Sequence, residues 1–289
     1  MQEYAIEARL RQLDPDLHRR FTDTVFMLER ASFKYQRLFP EYTDHSILHN
    51  ITVVHFCNRL IGDEQLRQIG PNALYSLLMA CCLHDVGMGI SQKDYEEFCP
   101  QIRDSAFRAA HPDARVDTHV REFHQDFSGL YIRKYADFLE IPSPEHLFAV
   151  VQIARGHRRT DLFDETEYPA DYRVRGEAVF LPYFAALIRL ADEVDVMASR
   201  NPVLLYDIEA LTDDLQVFEY MKVRAVKDLI VTPDSFRMIA EADSDRLAEA
   251  LEGLRAKMQR TLDYCREAAE KRSPFRITQQ RVELSLTRV

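Results

Sequence analysis

The chain has 289 residues, 46% of them hydrophobic and 29% charged, with only 8 glycines and 12 prolines, which excludes a disordered, fibrous or repetitive protein. Its net charge of -10 argues against a surface that coats nucleic acid, but leaves room for a local basic pocket that grips phosphate. Cys57, Cys81, Cys82, Cys99 and Cys265 form no CxxC pair and sit in apolar runs, so they read as reduced, buried thiols in a reducing cytosol.

The opening MQEYAIEARLRQLD is charged and amphipathic, unlike a secretion signal, and no apolar run reaches the ~18 residues of a membrane span. A cytoplasmic protein with no membrane partner is therefore expected. Leu17, Phe21, Val25, Phe26 and Leu28 recur at helical spacing. Thr43 or Asp44 is a good cap for a helix running to about Leu60, with Ile47, Ile51, Val54 and Leu60 inward. Residues 71–84 start on a proline suited to a first helical turn and read as a buried helix. The polar stretch 87–115 reads as an inserted loop or short helices. Helices are expected over 116–139, 144–157 and 176–196.

The texture changes after about residue 205. FEYMKVRAVKDLIVTPDSFRMIAEAD holds two strand-like runs joined by the turn-rich Thr-Pro-Asp-Ser. A long amphipathic helix follows, from Ser244 to Lys271, and RVELSLTRV alternates like a half-buried strand. The expected fold is mainly α: a helical domain over 1–205, then a smaller α+β elaboration over 206–289 with a short antiparallel sheet.

The chemistry-bearing residues lie on the helical part. His45, His49 and His55 come early, and the first two share a helix face four residues apart. LLMACCLHDVGMGI ends an apolar helix with adjacent His84 and Asp85. A histidine and a carboxylate at the inner end of such a helix cost free energy unless something pairs with them. His124 follows in REFHQDFSGLYI, His157 in IARGHRR and Asp192 in LIRLADEVDV. Imidazole and carboxylate together suit divalent Mn, Fe, Co, Ni or Zn. Such an ion lowers the pKa of water and polarises a phosphoryl oxygen, which supports hydrolysis.

In order and in context, His49, His84-Asp85 and Asp192 resemble the H…HD…D signature of HD-domain metal-dependent phosphohydrolases. The opening YTDHSILHN and the α+β tail resemble the subgroup whose HD core carries a C-terminal elaboration. The resemblance covers about residues 40–200 and implies an HD-type helical bundle. It also implies that His49, His84, Asp85 and Asp192 hold a first divalent metal. Arg121–His124 and GHRR at 156–159 resemble members with two metals, so Asp85 would bridge to a second ion completed by His124 and His157. Single-metal members use similar histidines to contact phosphate. The set of ions is one or two of Mn, Fe, Co, Ni or Zn, or Mg. The HHE…GYP element of the members that cleave cyclic dinucleotides is missing. HRRTDLFDETEYP stands in its place, so that substrate is not carried over.

Each residue also has a blander reading. His45 either contacts the pocket or simply caps its helix. His55 is assigned no role, and His111, His119 and His146 are expected at the surface. Asp192 could pair with Arg189 or Arg200 instead of metal. Asp195, three residues after Asp192, suits orienting a histidine or water, or moving protons beside Asp85 and His124. Of Arg155, Arg158 and Arg159, Arg158 is favoured for phosphate, with Arg121 and His45 beside it. Cys81 and Cys82 read as small core residues. The leading expectation is hydrolysis of a phosphomonoester or phosphodiester in a nucleotide or related small molecule. The alternative is a signalling module that holds metal and nucleotide with little turnover. The C-terminal elaboration would then meet a partner or a second copy of the chain.

Overall fold

A computed structural model describes residues 4–31, 47–196 and 214–289. Helices α1 (Ala5–Leu13) and α2 (Pro15–Ala31) are joined at Asp14, whose carboxylate accepts from the Asp16 and Leu17 amides at 3.1 and 3.0 Å. That closes two of the four donors a helix start leaves open. Leu17 and Phe21 face the core, while Phe26 points outward with Arg30 stacked 4.6 Å from its ring centre. Helix α3 (Ile47–Leu60) and the short α4 (Asp63–Gln68) lead to α5 (Pro71–Leu83). The cap expected at Thr43 or Asp44, and His45 with it, lie outside the described residues.

Every residue of α5 from Ala73 to Leu83 is buried. A helix that is apolar all round can only be the centre of a bundle, and α1, α2, α3 and α9 (Pro144–Arg155) pack around it. The polar stretch after it folds into a 3-10 turn (Val86–Gly89) and two short helices, α6 (Gln92–Phe98) and α7 (Ser105–Ala110). These enclose a small satellite core of Met88, Ile90, Phe98, Ile102, Val120 and Phe127. Helix α8 (Val116–Lys134) ends earlier than expected and is broken at Phe123, where φ -116 and ψ 19 leave the helical region.

The helix expected over 176–196 begins only at α10 (Leu181–Glu193). Its first residues are taken by a two-residue hairpin, β1 (Arg173–Val174) and β2 (Glu177–Ala178). Arg175 and Gly176 hold positive φ of 50° and 84° at its tip. Two such residues make the turn that matches strand twist, and no helix can run through them.

The C-terminal region departs from expectation in a second way. The first strand-like run is helical as far as α11 (Asp214–Ala225), and only then does β3 (Val226–Val231) begin. β3 pairs antiparallel with β4 (Ser235–Ala242), as the Thr-Pro-Asp-Ser turn requires. β5 (Arg281–Arg288), however, joins β4 in parallel. Helix α12 (Asp245–Arg272) carries the chain back along the sheet, and a parallel pair needs such a crossover. α12 packs on α10 with one side and on β4 and β5 with the other. One apolar cluster runs from Ile6 through α5 and α10 to Leu262, Phe236 and Val282. The boundary expected near residue 205 lies outside the described residues.

Two histidines expected at the surface are buried. His146 is fully enclosed, with Ser143 Oγ at 2.9 Å and Asn72 Oδ1 at 2.8 Å. His119 is 3% exposed and packs against Phe107, Phe123 and Phe127. A polar, loop-like sequence context hid both: the aromatics around His119 come together only when the insertion packs on α8, and His146 is closed in by Asn72 of α5. His111 is exposed, Cys57, Cys81, Cys82 and Cys265 are buried, and Cys99 is half-buried.

Candidate metal centre

Four histidines from four places in the bundle meet around Asp85. His49 is on α3, His84 caps the C-terminus of α5, His124 follows the break in α8, and His157 lies just past the end of α9. Helix ends leave carbonyls without partners. His84 Nδ1 donates to the Cys81 carbonyl at 2.9 Å, and His157 Nδ1 donates to the Ala154 carbonyl at 2.6 Å. The break at Phe123 creates the same opportunity in mid-helix, where His124 Nδ1 donates to the Arg121 carbonyl at 2.7 Å. His49 Nδ1 instead donates to the Asp195 carboxylate at 2.6 Å.

With each Nδ1 donating, each Nε2 carries a lone pair, and these face one another. His49 and His84 Nε2 are 3.1 Å apart; His124 and His157 Nε2 are 2.9 Å apart. Two lone pairs cannot hydrogen-bond. Ligands about 2.1 Å from one metal ion and at right angles to each other are about 3.0 Å apart. Both pairs therefore have the spacing of neighbouring ligands on one ion.

Asp85 stands between the pairs. Its Oδ2 is 3.6 Å from His49 Nε2 and 3.4 Å from His84 Nε2, while its Oδ1 is 3.4 Å from His124 Nε2 and 3.5 Å from His157 Nε2. Asp192 Oδ1 lies 3.3 Å from His49 Nε2 and 4.0 Å from His84 Nε2. Two groups, His49–His84–Asp85 and Asp85–His124–His157, thus have the geometry to hold a metal ion each, sharing one carboxylate.

The electrostatics agree. Burial, with His84 and His124 beside it, pushes His157 down to about 3, so it is neutral and able to bind metal. Asp85 is 4% exposed and Asp195 3%. Anionic carboxylates among neutral imidazoles in so dry a place cost several kcal/mol unless cations sit with them, and divalent ions supply that charge. The residues fit a pair of such ions.

A cavity of about 530 Å³ opens onto this centre, lined by Asp85, His124, His157 and Asp192. Its wall is mainly cationic: Arg121 from the first half of α8, Arg158 and Arg159 from just past α9, Arg189 from α10 and Lys257 from α12, with Glu193 among them. Arg158 donates to the Arg121 carbonyl at 3.0 Å, beside the His124 ring. Arg159 pairs with Glu122, and Lys257 with Glu193 at 2.9 Å. Arg155 faces away, to Asp126 at 2.9 Å and Glu167 at 3.2 Å.

The structure brings together His49, His84, Asp85, His124, His157 and Asp192, with Arg121 and Arg158 on the cavity wall. Asp195 lies behind His49, the orienting position among those expected for it, away from the cavity. Arg189 donates to the Gly156, Arg158 and Thr160 carbonyls and so fastens the His157 loop to α10; Arg200 lies outside the described residues. Gly87 serves close approach. A Cβ there would sit 2.4 Å from the His124 carbonyl, because this turn packs directly on the α8 break. Leu254, Lys257 and Thr261 on α12 line the cavity too. Nothing local in the sequence marks them, since their relation to Glu193 is set by helix packing alone.

The family model HD-CE matches residues 39–274, which takes in the centre, the cavity wall and α12. No curated protein and no solved structure matches the chain.

Proposed function

The chain belongs to the HD-CE family, and we propose that it is a metal-dependent phosphohydrolase acting on a nucleotide or a related small phosphorylated molecule. The observation that carries this reading is Asp85, whose two oxygens face two histidine pairs at the floor of a cationic cavity. A divalent pair bound there supplies Lewis acidity toward a phosphoryl oxygen and lowers the pKa of water. His49, His84, Asp85 and Asp192 would hold one ion, and Asp85, His124 and His157 the other, drawn from Mn, Fe, Co, Ni, Zn or Mg. The chain's own residues do the rest. Arg158 and Arg121 fork toward phosphate oxygens and steady the charge that grows on them in the transition state. Asp195 fixes the His49 tautomer. Lys257 and Leu254 close the cavity from the C-terminal side, so the elaboration takes part in substrate binding.

The test is turnover by Mn-loaded protein on mononucleotides, nucleoside triphosphates, cyclic nucleotides and generic phosphodiesters, with Asp85→Ala alongside. The expected result is hydrolysis of at least one class, lost in the variant together with bound metal. Tight nucleotide binding at a loaded centre with no product over hours would instead assign the cavity to a signalling module.

A further inference from the structure

The insertion after Asp85 carries a second kind of donor group, independent of the centre above. Cys99 follows α6, Asp104 precedes α7, and His119 lies in the first turn of α8. Their ligand atoms all lie within 4.8 Å of one another. Asp104 is 8% exposed and His119 3%. His119 Nε2 approaches Asp104 Oδ2 to 2.6 Å, yet it is buried and makes no aligned hydrogen bond.

His119 Nδ1 is 3.0 Å from the Tyr95 hydroxyl. Tyr95 has one proton to give. When that proton points away from the ring, the hydroxyl accepts from Nδ1–H, and Nε2 is left with a lone pair against a carboxylate. Lone pair and anion in a buried place repel unless a cation lies beside both.

Arg108 marks the sign of charge this group demands. Its Nε donates to Asp104 Oδ2 at 2.6 Å and its Nη2 to Cys99 Sγ at 2.8 Å. The Arg108 side chain is 52% exposed on the short α7, so it has a way out to solvent. The Asp104 and His119 donors are held by packing.

We propose that Cys99, Asp104 and His119 form a zinc site, at which zinc takes the place of the Arg108 guanidinium. Thiolate, imidazole and carboxylate suit this borderline-soft ion, with water in a fourth position. The Cys99 thiol proton passes to solvent as the zinc–sulfur bond forms. The ion would clamp α6 and α7 onto α8 one turn before the Phe123 break, and so buttress the carbonyl that orients His124.

Cobalt(II) is the probe. A cobalt–thiolate bond absorbs strongly in the near ultraviolet, and the His and Asp donors around Asp85 include no sulfur. The band is expected in the wild-type chain and in Asp85→Ala, and should vanish in Cys99→Ser and on adding zinc. Arg108→Ala should tighten cobalt binding roughly tenfold, since a competing charge-assisted pair is gone. Circular dichroism checks that each variant is folded. No band in wild type under saturating cobalt would overturn the proposal and leave an Arg108–Asp104 ion pair only. A band that survives Cys99→Ser would overturn it too, by assigning the metal to another cysteine. Because Asp85→Ala reports separately, loss of the phosphohydrolase reading would not affect the outcome.

Discussion

His49 Nδ1 donates to Asp195 Oδ2 at 2.6 Å, and this one bond turns the other His49 nitrogen toward His84 and Asp192. Asp195 thus acts on the centre through His49 and not by touching a substrate. Asp195→Asn keeps the shape but weakens the acceptor. Metal affinity at the His49 side should fall about 10- to 100-fold, with the circular dichroism spectrum unchanged. Affinity equal to wild type by titration against a fluorescent chelator would remove Asp195 from this role.

Arg158 is on the cavity wall and donates to a carbonyl rather than to a carboxylate. Arg158→Ala should raise KM about tenfold or more for a phosphorylated substrate, the loss of one charged hydrogen bond. Metal content by elemental analysis should stay at the wild-type ratio. A variant that loses metal along with activity would show that Arg158 holds the His124 loop and not the substrate.

His146 sets part of the acid limit of stability. Burial first, then the charge of Arg175, pushes it from 6.5 down to about 4. The fold holds it neutral, while the unfolded chain takes up a proton below about pH 6.5. Its contribution is therefore full above about 6.5 and is lost as pH falls toward 4, a difference on the order of 3 kcal/mol. Urea unfolding at pH 7 and at pH 4.5 measures this. His146→Gln should lose less stability between the two than wild type does, and parallel losses would count against the assignment.

Gly87 has no room for a side chain, with the His124 carbonyl 2.4 Å and the Ser128 amide 2.5 Å from where a Cβ would sit. Both are backbone, so the turn or the α8 break must move. Gly87→Ala should destabilise by about 1–3 kcal/mol and loosen metal at the His124–His157 side more than at the His49–His84 side. Calorimetry and metal stoichiometry read the two effects, and an unchanged melting temperature would refute the packing argument.

The HD series was legible because its parts are local. His84 and Asp85 are adjacent, Asp192 sits in an apolar helix, and each stands out as a polar residue that burial would punish. Helices α2, α5, α9 and α12 were legible from the apolar pattern, with Pro71 as a start signal, and the structure adds Ser143 and Ser244 as caps of α9 and α12. The hairpin at Arg175-Gly176 was misread, since the run from Glu177 onward is apolar enough to pass for the start of α10. The direction of β5 was not legible either. Alternation shows that a strand is half-buried but not which neighbour it takes, and only the α12 crossover makes the pairing parallel.

By itself, then, the sequence determined which residue types had to be neutralised and the helices that carry them. A buried histidine or carboxylate has a cost wherever it lies, and that cost is written in its apolar surroundings. The tertiary structure alone decided who does the neutralising. It aims Asp85 both ways, puts Asp195 behind His49, sets Lys257 in the cavity wall and buries His119 against Asp104. Those relations join residues that are distant along the chain, at distances of a few ångströms. Only the packing of one helix on another fixes such distances, because electrostatic and hydrogen-bond energies fall away within that range.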